Sequence, residues 1–239
     1  MFKHNIIFPK QIPDHITSEQ LNQLAHLIEG GRQVFGQAGA SLTWGIDGQD
    51  GGEVAAGLEG EKMTAKILQQ WLATNPQALL FHSVRWPQSE GDTDHMLVIG
   101  RHVLLIDSKR WKAKRKYSLT AKGAVKRGTV DFPEGNVKMI PAMSSWRKIL
   151  PAGTRVAGTV CIAQEEVFVP YDENWRKSPY KLVTVEKLPD SLDYFANRAS
   201  KDGTEVNLSI VSHIVMGLVK PRDRRSEVIN MKAVKRRRT

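Results

Sequence analysis

Asp94, Asp107 and Lys109 are the residues whose types and spacing could do chemistry. Asp107 and Lys109 stand two apart at the end of an apolar run, Val103 to Ile106. An extended chain therefore puts a carboxylate and an ammonium on one face, roughly 6–7 Å apart along the backbone. Val103 and Leu105 share that face. A second apolar run, Met96 to Ile99, precedes the first, and Gly100-Arg101 lies between them, which predicts strand–turn–strand. Asp94 opens the first of these strands. We do not expect a regular hairpin to set it directly opposite Asp107, so their approach depends on an offset or a bend. Two carboxylates and a lysine at one point suit attack on a phosphodiester: hard oxygen ligands hold Mg²⁺, which takes one or two protein carboxylates and keeps its waters. The lysine would stabilise transition-state charge or help deprotonate the water. A surface salt bridge of the Asp-x-Lys type is the plainer reading.

The elements that must position these residues begin with a helix. Ala65, Leu68 and Leu72 recur at helical spacing, and Trp71 widens the stripe. Glu61 falls on the same face, four residues before Ala65. It either complements the helix dipole or reaches the metal and its waters. Ser108 should turn away from Asp107, leaving its backbone carbonyl as a third metal ligand beside Asp94 and Asp107. His82, His95 and His102 share no zinc-ligand spacing, and His95 is predicted to point away from the face of Asp94.

Gly60-Glu61, Asp94-His95, Gly100 and Asp107-Ser108-Lys109, in that order along helix, strand, turn and strand, resemble the nuclease-related domain (NERD). That family is a branch of the PD-(D/E)XK nuclease-like superfamily, and the resemblance covers roughly residues 55–200. It implies an α/β fold with a restriction-endonuclease-like core, a central mixed β-sheet flanked by helices. It also implies a Mg²⁺-dependent nuclease, with Mn²⁺ as an alternative, in which Glu61, Asp94, Asp107 and Lys109 are catalytic. The chain departs from the family pattern in three ways. The acid of the last motif is Asp, where Glu is commoner; no proline precedes Asp94; and the segment 136–150, expected to be the helix after the hairpin, has no Gln.

A net charge of +10 and a pI near 9.7 point to an anionic partner, nucleic acid and DNA first, rather than a membrane. No acid occurs between Asp107 and Asp131. Arg110, Trp111, Lys112, Lys114, Arg115 and Lys116 leave the candidate site directly, with Lys126 and Arg127 following. Cations interleaved with Trp111 and Tyr117 could hold a phosphate backbone and stack on bases; a solvated basic hairpin is the alternative. Cys161 is the single cysteine, which excludes an internal disulfide. With no signal peptide and no transmembrane run, a cytoplasmic location is expected.

Three segments are expected: 1–53, an N-terminal arm, helix and Gly-rich linker; 54–200, the nuclease-like domain; and 201–239, a C-terminal helix and basic tail. Thr17 and Gln20 predict a capping box, followed by an apolar stripe of Leu21, Leu24, Ile28 and Phe35. The glycines of 36–53 read as a connection, since no Gly-Lys-Ser/Thr ending marks a phosphate loop. Residues 155–163 and 181–186 read as strands, 189–199 as a helix, 164–180 as an irregular insertion, and 205–219 as a final helix. Glu165 and Glu166 are fallback ligands. Against the nuclease stand two other classes: a nucleic-acid-binding module without catalysis, and an interaction scaffold that takes protein partners through the N-terminal helix.

Overall fold

The computed structural model describes residues 4–43, 51–87, 89, 91–135 and 138–220. The N-terminal part holds β1 (Ile6–Ile7), α1 (Ser18–Glu29), β2 (Val34–Phe35) and α2 (Gly51–Leu72). The centre follows with β3 (Leu79–Arg85), β4 (Asp92–Ile99), β5 (His102–Lys109), β6 (Arg115–Leu119), β7 (Val125–Arg127), β8 (Val130–Asp131) and α3 (Met139–Ile149). The last part is β9 (Arg155–Ile162), β10 (Val167–Phe168), α4 (Glu173–Lys177), β11 (Lys181–Thr184), α5 (Leu188–Ser200), β12 (Val206–Asn207) and α6 (Leu208–Met216).

The main sheet has the order β11-β9-β5-β4-β3-β2. β3, β4 and β5 form an antiparallel meander; β9 joins β5 in parallel, β11 joins β9 in parallel, and β2 pairs in parallel with β3. Side-chain alternation divides the core into two layers. Leu80, Leu97, Leu104, Ile106 and Val183 pack beneath α2 and α5. Phe81, Met96, Val98, Val103 and Leu105 pack with α1, α3 and α6. This is the α/β arrangement of a mixed sheet between helices, and the central strands are apolar on both faces because both are covered.

The predicted elements form with shifted edges. Thr17 and Gln20 make the reciprocal capping box, yet α1 is no appendage. Its Leu21, Leu24 and Ile28 enter the same apolar layer as Phe81 and Met96, and β2 extends the sheet itself. The Gly-rich connection is shorter than expected. α2 already begins at Gly51, and the predicted linker positions 44–50 lie outside the described residues. The segment 164–180 is not irregular: β10 pairs in parallel with β6, and α4 is capped by Asp172. α3 starts at Met139 and α6 spans only Leu208–Met216, with β12 before it paired to β1. The basic tail from residue 221 lies outside the described residues.

The β4–β5 turn sets the register of the site. Gly100 has φ of 55°, and a Cβ there would collide with the Gly203 carbonyl. Gly31 also has positive φ, 90°, but open space around it. Gly100→Ala is therefore expected to cost about 2 kcal/mol or more, from left-handed strain plus the clash, and Gly31→Ala about 1 kcal/mol, from strain alone. Urea denaturation of both variants checks the contrast, and equal losses would mean that the Gly203 contact is immaterial.

Candidate functional site

The two-residue turn centres the hairpin so that Ile99 faces His102 and His95 faces Ile106. The ladder ends at that last pair, and the same count continued by one step sets Asp94 against Asp107. The expectation that a hairpin would keep them out of opposition is thus corrected: a turn of two residues makes positions summing to 201 partners, and 94 and 107 satisfy it. Asp94 Oδ2 accepts a hydrogen bond from the Ser108 N–H at 2.6 Å. Asp107 Oδ2 lies 2.7 Å from Lys109 Nζ, on the shared face predicted by alternation.

Glu61 comes in from α2. It is only 4% exposed, sits above the buried Ala65 and Leu68, and accepts a hydrogen bond from the Gly39 N–H at 2.8 Å. The segment after β2 thereby helps build the site. Burial pushes the Glu61 carboxyl up to about 7; the Gly39 N–H opposes this, while Asp92 and Asp107 add to it and Lys109 subtracts. Asp94 is also raised well above the usual carboxylate range, first by burial, then by Asp107 and Glu61. Burial pulls the Lys109 ammonium down, but Asp107 and Asp94 outweigh it and hold the group above its ordinary value. Lys109 is accordingly a fixed cation at neutral pH. That suits charge stabilisation and not proton abstraction.

Ser108 turns to the other face, as alternation predicts. Its hydroxyl meets His95 Nε2 at 3.2 Å, and His95 Nδ1 meets His82 Nδ1 at 2.7 Å. Burial keeps both rings below the usual histidine range, and His95 is lowered further by His82 while a hydrogen bond to the Glu61 backbone opposes it. This neutral chain lies under the carboxylates as packing. His102, at the far end of β5, bonds Asp202 at 2.7 Å.

Asp107 and Lys109 line a cavity of about 300 Å³ with Trp86, Asp92 and Lys138. Sequence reasoning passed over those last three. Asp92 shares the Asp94 alternation, two residues apart, and that was its available signal. Lys138 just precedes α3 and had none beyond its charge. Asp92 Oδ2 is buried with no hydrogen-bond partner among the described residues. No three His, Cys, Asp or Glu side chains among the described residues form a ready metal-ligand group. Mg²⁺ needs fewer, since it binds through one or two carboxylates and retains waters. Desolvated carboxylates that raise one another's pKa, with one acid oxygen unpartnered, fit such a hard divalent cation.

The basic segment forms its own small sheet, in the order β10-β6-β7-β8. Many of its cations are engaged. Arg110 pairs with Glu59, Lys114 with Glu166 at 3.7 Å, and Lys126 with Asp131 at 3.8 Å. Arg127 lies over Phe132, and Lys116 over Phe168. Lys112 and Arg115 pair with no acid among the described residues. The aromatic expectation is corrected. Tyr117 is fully buried, and half-buried Trp111 packs 4.8 Å from it and 5.4 Å from Phe132, between ring centroids. These rings hold the small sheet together because a short sheet needs an apolar centre of its own. Glu166, one of the fallback ligands, belongs to this sheet by its pairing with Lys114.

Among the described residues no helix is long and apolar enough to cross a membrane. No curated protein and no solved structure matches the chain. Residues 56–140 match the family model of the nuclease-related domain (NERD). The match takes in Glu61 on α2, the whole β3–β4–β5 meander with Asp94, Asp107 and Lys109, and the basic sheet from β6 to β8. The similarity to that family is thus to residues 56–140 of the chain.

Proposed function

We propose that this protein is a Mg²⁺-dependent nuclease that hydrolyses phosphodiester bonds of DNA. The observation that carries the reading is the nearness of Glu61, Asp94 and Asp107 to the ammonium of Lys109, which pairs with Asp107 at 2.7 Å. Asp94 and Asp107 would hold the cation, with Mn²⁺ as a substitute and the Ser108 carbonyl as a further oxygen donor. Bound there, the ion would polarise a phosphoryl oxygen and make a water more acidic. Lys109 keeps its proton and stabilises the added negative charge of the pentacoordinate phosphorus. Glu61, hydrogen-bonded to Gly39, carries a proton that it can release near neutral pH. Lys138 at the cavity wall and the cations of the basic sheet, Lys112 and Arg115 foremost, neutralise the phosphate backbone.

A second reading, a nucleic-acid-binding module without catalysis, is favoured by one feature: no group of three metal-ligating side chains stands ready among the described residues. Cleavage of plasmid and of labelled single strands in Mg²⁺, Mn²⁺ or EDTA separates the two. The nuclease predicts metal-dependent cutting that falls by about 10²-fold or more in Asp107→Asn and in Lys109→Met. Salt-sensitive binding without cutting by the wild type would instead establish the binding module.

Glu61 yields a pH prediction. Its folded pKa, about 7, exceeds that of an unfolded chain, so the native state binds the extra proton between the two values. Its stabilising contribution is full below about 4.5 and is lost as pH rises through 7. Wild type should therefore lose stability relative to Glu61→Gln over that window, by up to about 3 kcal/mol, and the difference should level off above it. Urea midpoints from pH 5 to 8 measure this; a constant difference would show that Glu61 is ionised throughout. If the acids hold the cation, added Mg²⁺ raises the wild-type midpoint more at pH 8 than at pH 5.5, because binding displaces protons. A midpoint indifferent to Mg²⁺ at both pH values counts against the metal.

A further inference from the structure

Beyond the cavity that holds Asp107 and Lys109 lies a second one of about 650 Å³, and Trp86 lines both. Ser83 explains how Trp86 comes to stand there. Phe81 and Val84 both pack in the layer of Met96 and Leu105, although residues three apart on a regular strand face opposite ways. Between them Ser83 takes a left-handed φ of 51°. Its hydroxyl donates to the Gln37 carbonyl and accepts from the Ala40 N–H. The reversal puts Trp86 against that same layer, the layer on whose face Asp107 and Lys109 stand.

The indole is then fixed from three directions. Its Nε1 donates to Thr93 Oγ1 at 3.0 Å. Its backbone N–H donates to the Gly91 carbonyl at 2.8 Å. Gly91 lies so close to the ring that a Cβ there would stand 2.9 Å from it. The second cavity has an apolar lining of Trp146, Ile149 and Met216, with Arg85 and Lys220 among its walls.

We propose that Trp86 is the stacking platform for an unpaired nucleobase, which seats in this second cavity while its neighbouring phosphate lies at Asp92, Asp107 and Lys109. The placement of the phosphate rests on the nuclease reading; the seat for the base does not. A flat heterocycle matches an apolar cavity walled by Trp86 and Trp146. The cations of Arg85 and Lys220 match the flanking phosphates. A base inside a duplex cannot enter, so the site selects single strands, frayed ends or extruded nucleotides.

The test measures binding of the full chain in EDTA to three fluorescent DNAs: a single strand, the same strand built from abasic nucleotides, and a blunt duplex. The intact single strand is expected to bind roughly tenfold or more tighter than the abasic one. Trp86→Leu should erase that ratio, and Trp86→Phe should keep most of it. The single-strand preference over duplex should fall in parallel. Equal binding of intact and abasic strands by the wild type, or an unchanged ratio in a folded Trp86→Leu, overturns the platform. Should Trp86→Leu fail to fold, Met216→Asp, at a largely exposed position on the cavity wall, places a carboxylate where the base would sit and must lower the same ratio. Cleavage of the intact strand in Mg²⁺ is scored separately. Cutting with base-indifferent binding overturns the platform and keeps the nuclease, whereas base-dependent binding without cutting does the reverse.

Discussion

Desolvating a carboxylate raises its pKa, and a second carboxylate nearby raises it further. Both effects act where β4 begins and β5 ends, where Asp94, Asp107 and Glu61 gather with Lys109 as their close cation. Such a cluster does not hold itself together. The apolar layers on both faces of the sheet hold it, because Met96 and Leu105 on one side and Leu68 and Ile106 on the other fix the strands and α2. The acids are the place where the fold gives up stability, and two backbone N–H groups, from Gly39 and Ser108, recover part of it.

That constraint explains why segments distant in the chain are built into one unit. Gly39 can serve Glu61 only because β2 is locked to β3, and β2 is locked because α1 enters the core beside it. The matched domain begins at residue 56, yet one of its acids takes its hydrogen bond from residue 39. Nuclease-like core and N-terminal extension are therefore not separable at the site, whatever their separation in sequence.

The centre of the site was legible because it rests on short-range rules. Strand alternation puts Asp107 and Lys109 on one face, helical spacing puts Glu61 above Ala65 and Leu68, and Gly100 marks the turn. The register of Asp94 against Asp107 was legible too, through the arithmetic of a two-residue turn, and was missed by expecting a regular hairpin to keep the two apart. What was not legible depends on long-range packing. Nothing near Trp111 and Tyr117 distinguishes a stacking surface from the centre of a small sheet; Phe132, fifteen residues past Tyr117, decides it. Nor does anything beside Gly39 foretell its bond to Glu61, twenty-two positions away.

Trp86 shows the same limit from the other direction. Regular alternation along β3 would have sent it to the face of α2, and only the left-handed backbone of Ser83 brings it to the acids. A serine is a poor indicator of such a turn, since left-handed backbone favours glycine, and its hydroxyl is what offsets the strain through Gln37 and Ala40. The residues just after β2 thus support both sides of the site. Gly39 holds the acid on α2, and Ala40 and Gln37 hold the kink that turns the tryptophan. A change at these positions would disturb the charge cluster and the aromatic wall together, although Gln37, Gly39 and Ala40 carry neither a charge nor a ring.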